Sequence, residues 1–251
     1  MLMKKWFTGL FMSWGMFLSI PCPVLKWDEE ARSEMLACMP FTGCIIGGLW
    51  ALAAYLLGLI SCPLPIAAAV LLALPWVLSG FIHLDGFMDV CDAVLSRRDL
   101  DTKRRILKDS HCGSFAVISM VLLALFGAAL FASVPAKELP LLPLAAIPVS
   151  VRATAGLAVT CIKPMETSQY SGAVTKKPAC IAVLCIWLAA AAALPIITNG
   201  LRGLAPAAAA AGYAAFAALA GRSLKGMNGD VSGFALTLGE LIGAAVLILV
   251  R

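Results

Sequence analysis

The sequence predicts an all-α, polytopic membrane bundle of about seven transmembrane helices, with a short re-entrant or interfacial helix at its N-terminus. Three observations predict it. The chain is 61% hydrophobic and only 13% charged, about half the charge that a soluble domain carries. Its apolar residues fall in long blocks, and ~20 such residues cross ~30 Å of hydrocarbon. Positive charge alternates between the segments that join the blocks.

The first element opens with Lys4 and Lys5 before the apolar run Trp6–Ile20. It resembles a signal peptide but ends in Pro21-Cys22-Pro23, without the small-residue cleavage pattern. It reads as a retained segment, short for a span. Apolar blocks follow at about 36–60, 64–82, 113–134, 140–162, 179–198, 204–220 and 234–250. Backbone in lipid must satisfy its own hydrogen bonds, so these blocks are helices. Pro63, Pro135, Pro140, Pro178 and Pro206 mark their edges, where a missing N–H costs little. Alanine-rich stretches at 189–193 and 207–211 suit close helix packing. The whole chain, 1–251, reads as one membrane domain.

The connecting segments 22–35, 83–112, 163–178 and 221–233 hold nearly all the loop cations. These are Lys26, Arg32, Arg97, Arg98, Lys103, Arg104, Arg105, Lys108, Lys163, Lys176, Lys177, Arg222 and Lys225. The opposite set holds Lys137, Arg202 and Arg251. Positive charge stays inside, so the first set is expected in the cytoplasm and the protein in the inner (cytoplasmic) membrane. Of the fourteen acidic residues, all but Glu138 belong to that same side, so the chemistry is expected there. Nucleic acid is excluded as a partner, because no basic, aromatic-interleaved segment is long enough to read a groove. The nine cysteines show no CxxC spacing and read as small buried hydrophobes, with no zinc site and no disulfide. The sequence leaves homo-oligomerisation open.

Three segments carry candidate chemistry. In His83-Leu84-Asp85-Gly86-Phe87-Met88-Asp89-Val90-Cys91-Asp92 the aspartates are spaced i, i+4, i+7. A helix places them within a wedge of about 60°. No Lys or Arg interleaves to neutralise them, as a solvated helix face normally does. A divalent cation would do so, and all-oxygen ligands suit magnesium, manganese or calcium rather than zinc. The second segment runs from Arg97 to Ser110. Its Arg97, Arg105, Lys108 and Ser110 suit the phosphates of a polyphosphate substrate, or equally anionic lipid. In the third, Asp230 sits in a glycine-rich turn and Glu240 about two turns inside the last span. An intramembrane carboxylate is a functional candidate by default. Arg152, also in a span, is expected either to pair with Glu240 or to meet a phosphate. His83 is a candidate general base or an orienting partner.

At these residues the chain resembles the cobalamin synthase family, the adenosylcobinamide-GDP ribazoletransferases. The family pattern His-x-Asp-Gly-x-x-Asp-x-x-Asp is matched by His83, Asp85, Gly86, Asp89 and Asp92. A Lys/Arg-Asp-Ser-x-x-Gly segment is matched by Lys108, Asp109, Ser110 and Gly113. A C-terminal pattern is matched by Gly229, Asp230, Gly233, Glu240 and Leu241. The resemblance implies a helical membrane enzyme that joins α-ribazole, or its 5′-phosphate, to adenosylcobinamide-GDP with release of GMP. On that reading Asp85, Asp89 and Asp92 hold Mg2+ on the diphosphate. Asp109, Asp230 and Glu240 complete the site as ligands or bases.

Two rival classes are weighed against this. A CDP-alcohol phosphotransferase also carries Asp-Gly and further aspartates, but it expects Ala-Arg where Asp89-Val90 stands. A cation transporter would use the acids as an ion site, but such sites lie near the bilayer midplane.

Overall fold

A computed structural model of the protein describes residues 2–24, 26–165, 168 and 174–250. Part of the expected loop 163–178 (166, 167 and 169–173) and Arg251 lie outside the described residues. Among the described residues the secondary structure is helical, with one isolated bridge between Pro164 and Met227. The helices are α1 (Leu2–Phe17), α2 (Arg32–Ala37), α3 (Met39–Leu59), α4 (Leu64–Leu78), α5 (Ile82–Leu95), α6 (Leu100–Ile106), α7 (Ser114–Ala132), α8 (Leu141–Cys161), α9 (Pro178–Asn199), α10 (Ala205–Leu224) and α11 (Gly229–Leu249). Each apolar block became a helix, and α1 took the N-terminal segment.

Five stretches are long and apolar enough to cross a membrane, with Pro178–Leu224 counted as one stretch of 47 residues. That stretch cannot be one span, because a straight helix of its length would reach about 70 Å. Gly203, between α9 and α10, packs against the backbone of Pro195, so the chain doubles back and the stretch is two spans. A further crossing comes from α4. It passes the length test only together with α5, which leaves at 94° and therefore runs along the membrane surface, outside the crossing. Gly80 (φ 61°) and Phe81 (φ 62°) make that corner in the left-handed region, at little cost for Gly80. Six long crossings and the short α4 result, against the seven spans that the apolar blocks predict.

The interior is arranged for lipid surroundings. Most of α8 and α11 is buried, whereas α7 turns Phe115, Ile118, Val121, Leu125 and Phe126 outward. Several hydroxyl groups go inside and find partners. The Tyr213 and Ser232 hydroxyls share a hydrogen bond of 2.9 Å, and Ser150 donates to the Pro206 carbonyl at 2.8 Å. The tightest crossings use glycines four apart. A Cβ at Gly47 would lie 2.0 Å from the Ala145 carbonyl oxygen, and one at Gly43 would lie 2.8 Å from that of Pro148. On α11, Gly239 and Gly243 meet Ala209 of α10 in the same way. Small residues at this spacing let helix backbones approach in lipid.

One intramembrane contact repairs a defect made by the sequence. Pro75 lies inside α4 and has no N–H to offer the Leu71 carbonyl. The Trp50 indole N–H donates to that carbonyl at 2.7 Å. We expect Trp50→Phe to leave the acceptor unpaired and to cost about 1–3 kcal/mol, read as a lowered unfolding midpoint in detergent.

The segments grouped by charge also gather in space. Lys103 donates to Ser223, and Arg104 to the carbonyls of Leu224 and Lys225. Met165 and Met227 bond through their backbones. Glu34 accepts from Lys177 at 2.8 Å, and Ser33 donates to the Thr175 carbonyl. At the opposite end Arg202 reaches the Leu247 and Glu138 carbonyls.

Candidate active site

The first acidic motif forms α5, where the sequence reading had a loop over 83–112. Its apolar positions Leu84, Phe87, Val90 and Cys91 are buried, and Phe87 stacks on Phe234 of α11 at 5.8 Å. Asp85, Asp89 and Asp92 share the remaining face, as the i, i+4, i+7 spacing requires. The helix then meets the start of α11 at close range. A Cβ on Gly86 would lie 2.9 Å from the Asp230 Cα, and one on Gly233 would lie 3.0 Å from the His83 carbonyl oxygen. The two glycines therefore bring the third acidic segment against the first. Asp230 itself lies in the first turn of α11, not in a turn before it. Asn228 caps that helix through the Val231 N–H at 2.9 Å, and it donates to the Asp230 carboxylate at 2.6 Å. Helix α11 therefore starts earlier than the apolar block, which puts Glu240 about three turns inside it.

The cluster is electrostatically crowded. Partial burial of Asp89, then repulsion from Asp85, Asp230 and Asp92, pushes its carboxyl up to about 7. Asp85 is exposed, while Asp89, Asp92 and Asp230 are partly buried. Asp92 turns toward the next helix. A Cβ on Gly113, the residue before α7, would lie 2.1 Å from both Asp92 carboxylate oxygens. An anion at that helix start is favourable. The expected three-aspartate metal site is thus shared with another task. Among the described residues, no group of three or more His, Cys, Asp or Glu surrounds a common ion position. The donor set still suits a hard divalent ion. Magnesium usually takes one or two carboxylates and completes its shell with water and substrate phosphates.

Beside the acids opens a cleft of about 110 Å³. Met16, Phe17, Leu36, Met39, Ile82 and Val159 wall it, and Asp85, Asp230 and Ser232 edge it. His83 lines it too, buried and stacked on Phe17 at 5.9 Å. Burial, with a smaller contribution from Arg152, pushes the His83 imidazole down to about 3. It is neutral at working pH and a poor proton acceptor, which speaks against the general-base reading. Its Nε2 has no hydrogen-bond partner among the described residues.

The other candidates separate into two groups. Arg97, Arg105, Lys108 and Ser110 are exposed near α6 and can meet a phosphate. Asp109 accepts from the backbone N–H of its neighbour His111 and pairs with its ring, and this holds the carboxyl below the usual range. Arg152 and Glu240 form a buried ion pair, Nη1 to Oε1 at 2.7 Å, with 0% and 7% of each residue exposed. Of the two roles open to Arg152, the structure shows the pairing. Sequence reading missed Met16 and Phe17, because an apolar N-terminal run carries no sign of where it docks. The Asn-x-x-Val cap at 228–231 is the one signal that could have shown the early start of α11.

The cobalamin-5-phosphate synthase family model matches residues 9–248. A relative from Clostridium perfringens (strain 13 / Type A), named adenosylcobinamide-GDP ribazoletransferase, is 39% identical over 249 residues. The match covers 98% of this chain and 99% of the relative. One of the same name from Clostridium botulinum (strain Eklund 17B / Type B) is 40% identical over 245 residues, covering 96% and 97%. Another from Halalkalibacterium halodurans is 41% identical over 122 residues, covering 48% and 46%. No solved structure matches the chain.

Proposed function

The chain belongs to the cobalamin-5-phosphate synthase family, and from that premise we propose that it is a membrane adenosylcobinamide-GDP ribazoletransferase. It joins α-ribazole, or its 5′-phosphate, to adenosylcobinamide-GDP. The products are GMP and adenosylcobalamin, or its 5′-phosphate. The observation that carries the site assignment is the carboxylate face of α5 pressed against Asp230, where burial and then the neighbouring carboxylates push Asp89 up to about 7. Charge crowding of this kind is relieved by a cation, and a diphosphate substrate brings negative charge that needs one.

Attack by a ribose hydroxyl on a diphosphate calls for alignment and charge neutralisation more than covalent help. The hydroxyl oxygen bonds to the phosphorus attached to the corrinoid, and the bond from that phosphorus to the GMP oxygen breaks. The released proton goes to Asp85, the exposed carboxylate at the cleft edge. Asp89 with Asp92 would hold Mg2+, which would supply positive charge to the diphosphate when bound. Arg97, Arg105 and Lys108 take the outer phosphate and nucleotide. The face that carries these groups is the basic one, which the positive-inside rule assigns to the cytoplasmic side of the cell membrane.

The test is GMP release by purified protein in detergent, given adenosylcobinamide-GDP and α-ribazole, with magnesium or with EDTA. Magnesium-dependent release is expected. Its absence from folded protein with every divalent ion tried overturns the reading. A pH dependence follows from Asp89. Protons compete with the cation for a carboxylate, so the apparent magnesium affinity is expected to fall by up to about tenfold per pH unit below about 7. It is expected to level off above that value. Titration calorimetry between pH 5.5 and 8.5 reads it directly.

A further inference from the structure

We propose that the cleft between α1 and the start of α5 seats the base of the incoming nucleoside, a planar apolar ring with one acceptor nitrogen. This rests on the ribazoletransferase reading and says where its second substrate lies. Three observations converge on it. The walls come from five separate helices and are apolar. One wall is aromatic, since Phe17 and His83 stack nearly parallel, 19° apart, and a third ring can extend that stack. The His83 Nε2 is fully buried with no partner, in a residue that lines the cleft. Buried polar atoms are almost always paired, so this nitrogen calls for a ligand atom.

The chemistry of the occupant follows. With a proton on Nε2, His83 donates one hydrogen bond. A benzimidazole nucleoside offers one free ring nitrogen, which accepts and cannot donate. Adenine or guanine would bring several further donors and acceptors into apolar walls and leave them unpaired, at a cost for each. The cleft of about 110 Å³ is smaller than the ~150 Å³ cavity known to take benzene, so a bicyclic base enters it only in part and its remainder lies at the open, acidic edge. A base seated there directs its ribose toward Asp85, Asp230 and Ser232, where the hydroxyl must react. The N-terminal helix is thereby part of the substrate site and not only a membrane-surface anchor. Its end is fixed to the same corner, because Ser19 caps α4 through the Val77 and Leu78 carbonyls.

The experiment uses the full-length protein in detergent, with Phe17→Ala to remove the stack and Met16→Trp to fill the cleft. Calorimetric binding of α-ribazole alone is read beside steady-state kinetics. Phe17→Ala is expected to weaken α-ribazole binding and raise its KM by about tenfold, and Met16→Trp by at least as much. The KM for adenosylcobinamide-GDP is expected to stay unchanged in both. Adenosine is expected to bind the wild type about a hundredfold more weakly than α-ribazole. A rise in the adenosylcobinamide-GDP KM instead overturns the proposal, as does equal binding of both nucleosides or indifference of α-ribazole to both substitutions. Binding of α-ribazole that Phe17→Ala weakens, with no GMP release under any condition, leaves the cleft assignment standing and removes the transferase reading. Release of GMP by variants with unchanged KM does the reverse.

Discussion

Asp89→Asn is expected to lower kcat for GMP release by about 10²–10³-fold, with little change in the KM for α-ribazole. The substitution is isosteric and removes one negative charge from the centre of the cluster. Asp89 is the carboxylate on which Asp85, Asp230 and Asp92 all act, so it is where a cation gains most. In magnesium-free buffer the variant is expected to be as stable as the wild type or slightly more so, because a like-charge contact has gone. The stabilisation conferred by added magnesium is expected to shrink, since a ligand stabilises only in proportion to its binding. Thermal unfolding with and without magnesium, beside the GMP assay, separates these effects. Full activity in Asp89→Asn would remove this residue from the site and leave Asp85 and Asp92 as the cation ligands.

Much of this molecule was legible because a membrane imposes simple rules. Long apolar blocks became helices within a few residues of their expected ends. Charge alternation sorted the connecting segments onto two faces, and the structure joins them as sorted, through Lys103 to Ser223 and Met165 to Met227. The i, i+4, i+7 spacing placed three aspartates on one helix face. What stayed hidden depended on directions that hydropathy does not encode. A break of three residues after α4 turns the acidic helix through 94°, so the motif lies on a surface helix and not in a loop. The early start of α11 came from the Asn228 cap, a polar signal outside the apolar block. The close approach at Gly86 and Gly233 explains why glycine follows Asp85, and only the pairing of α5 with α11 reveals it. Docking of α1 on the cleft left no trace in its sequence.

Glu240→Leu alone is expected to destabilise the protein by about 3–5 kcal/mol, the cost of leaving a buried charge without its partner. Arg152→Leu alone is expected to cost a similar amount. The double variant Arg152→Leu with Glu240→Leu is expected to recover to within about 1 kcal/mol of the wild type, because apolar replacement of a buried pair is often neutral. The geometry favours recovery. Arg152 spends one nitrogen on Glu240 and the Pro148 carbonyl, while its buried Nε and Nη2 have no partner among the described residues. The pair therefore carries an uncompensated desolvation cost. A cycle of four unfolding measurements gives the coupling directly. The same four proteins decide whether the pair does more than hold α8 to α11. Sequence reading offered Arg152 either a pairing with Glu240 or a phosphate and put Glu240 in the site as a ligand or base; the structure pairs the two and buries both. A stable double variant that keeps the KM of both substrates assigns the pair to packing. A stable double variant that releases no GMP shows that the reaction needs its field, which His83 already senses from Arg152.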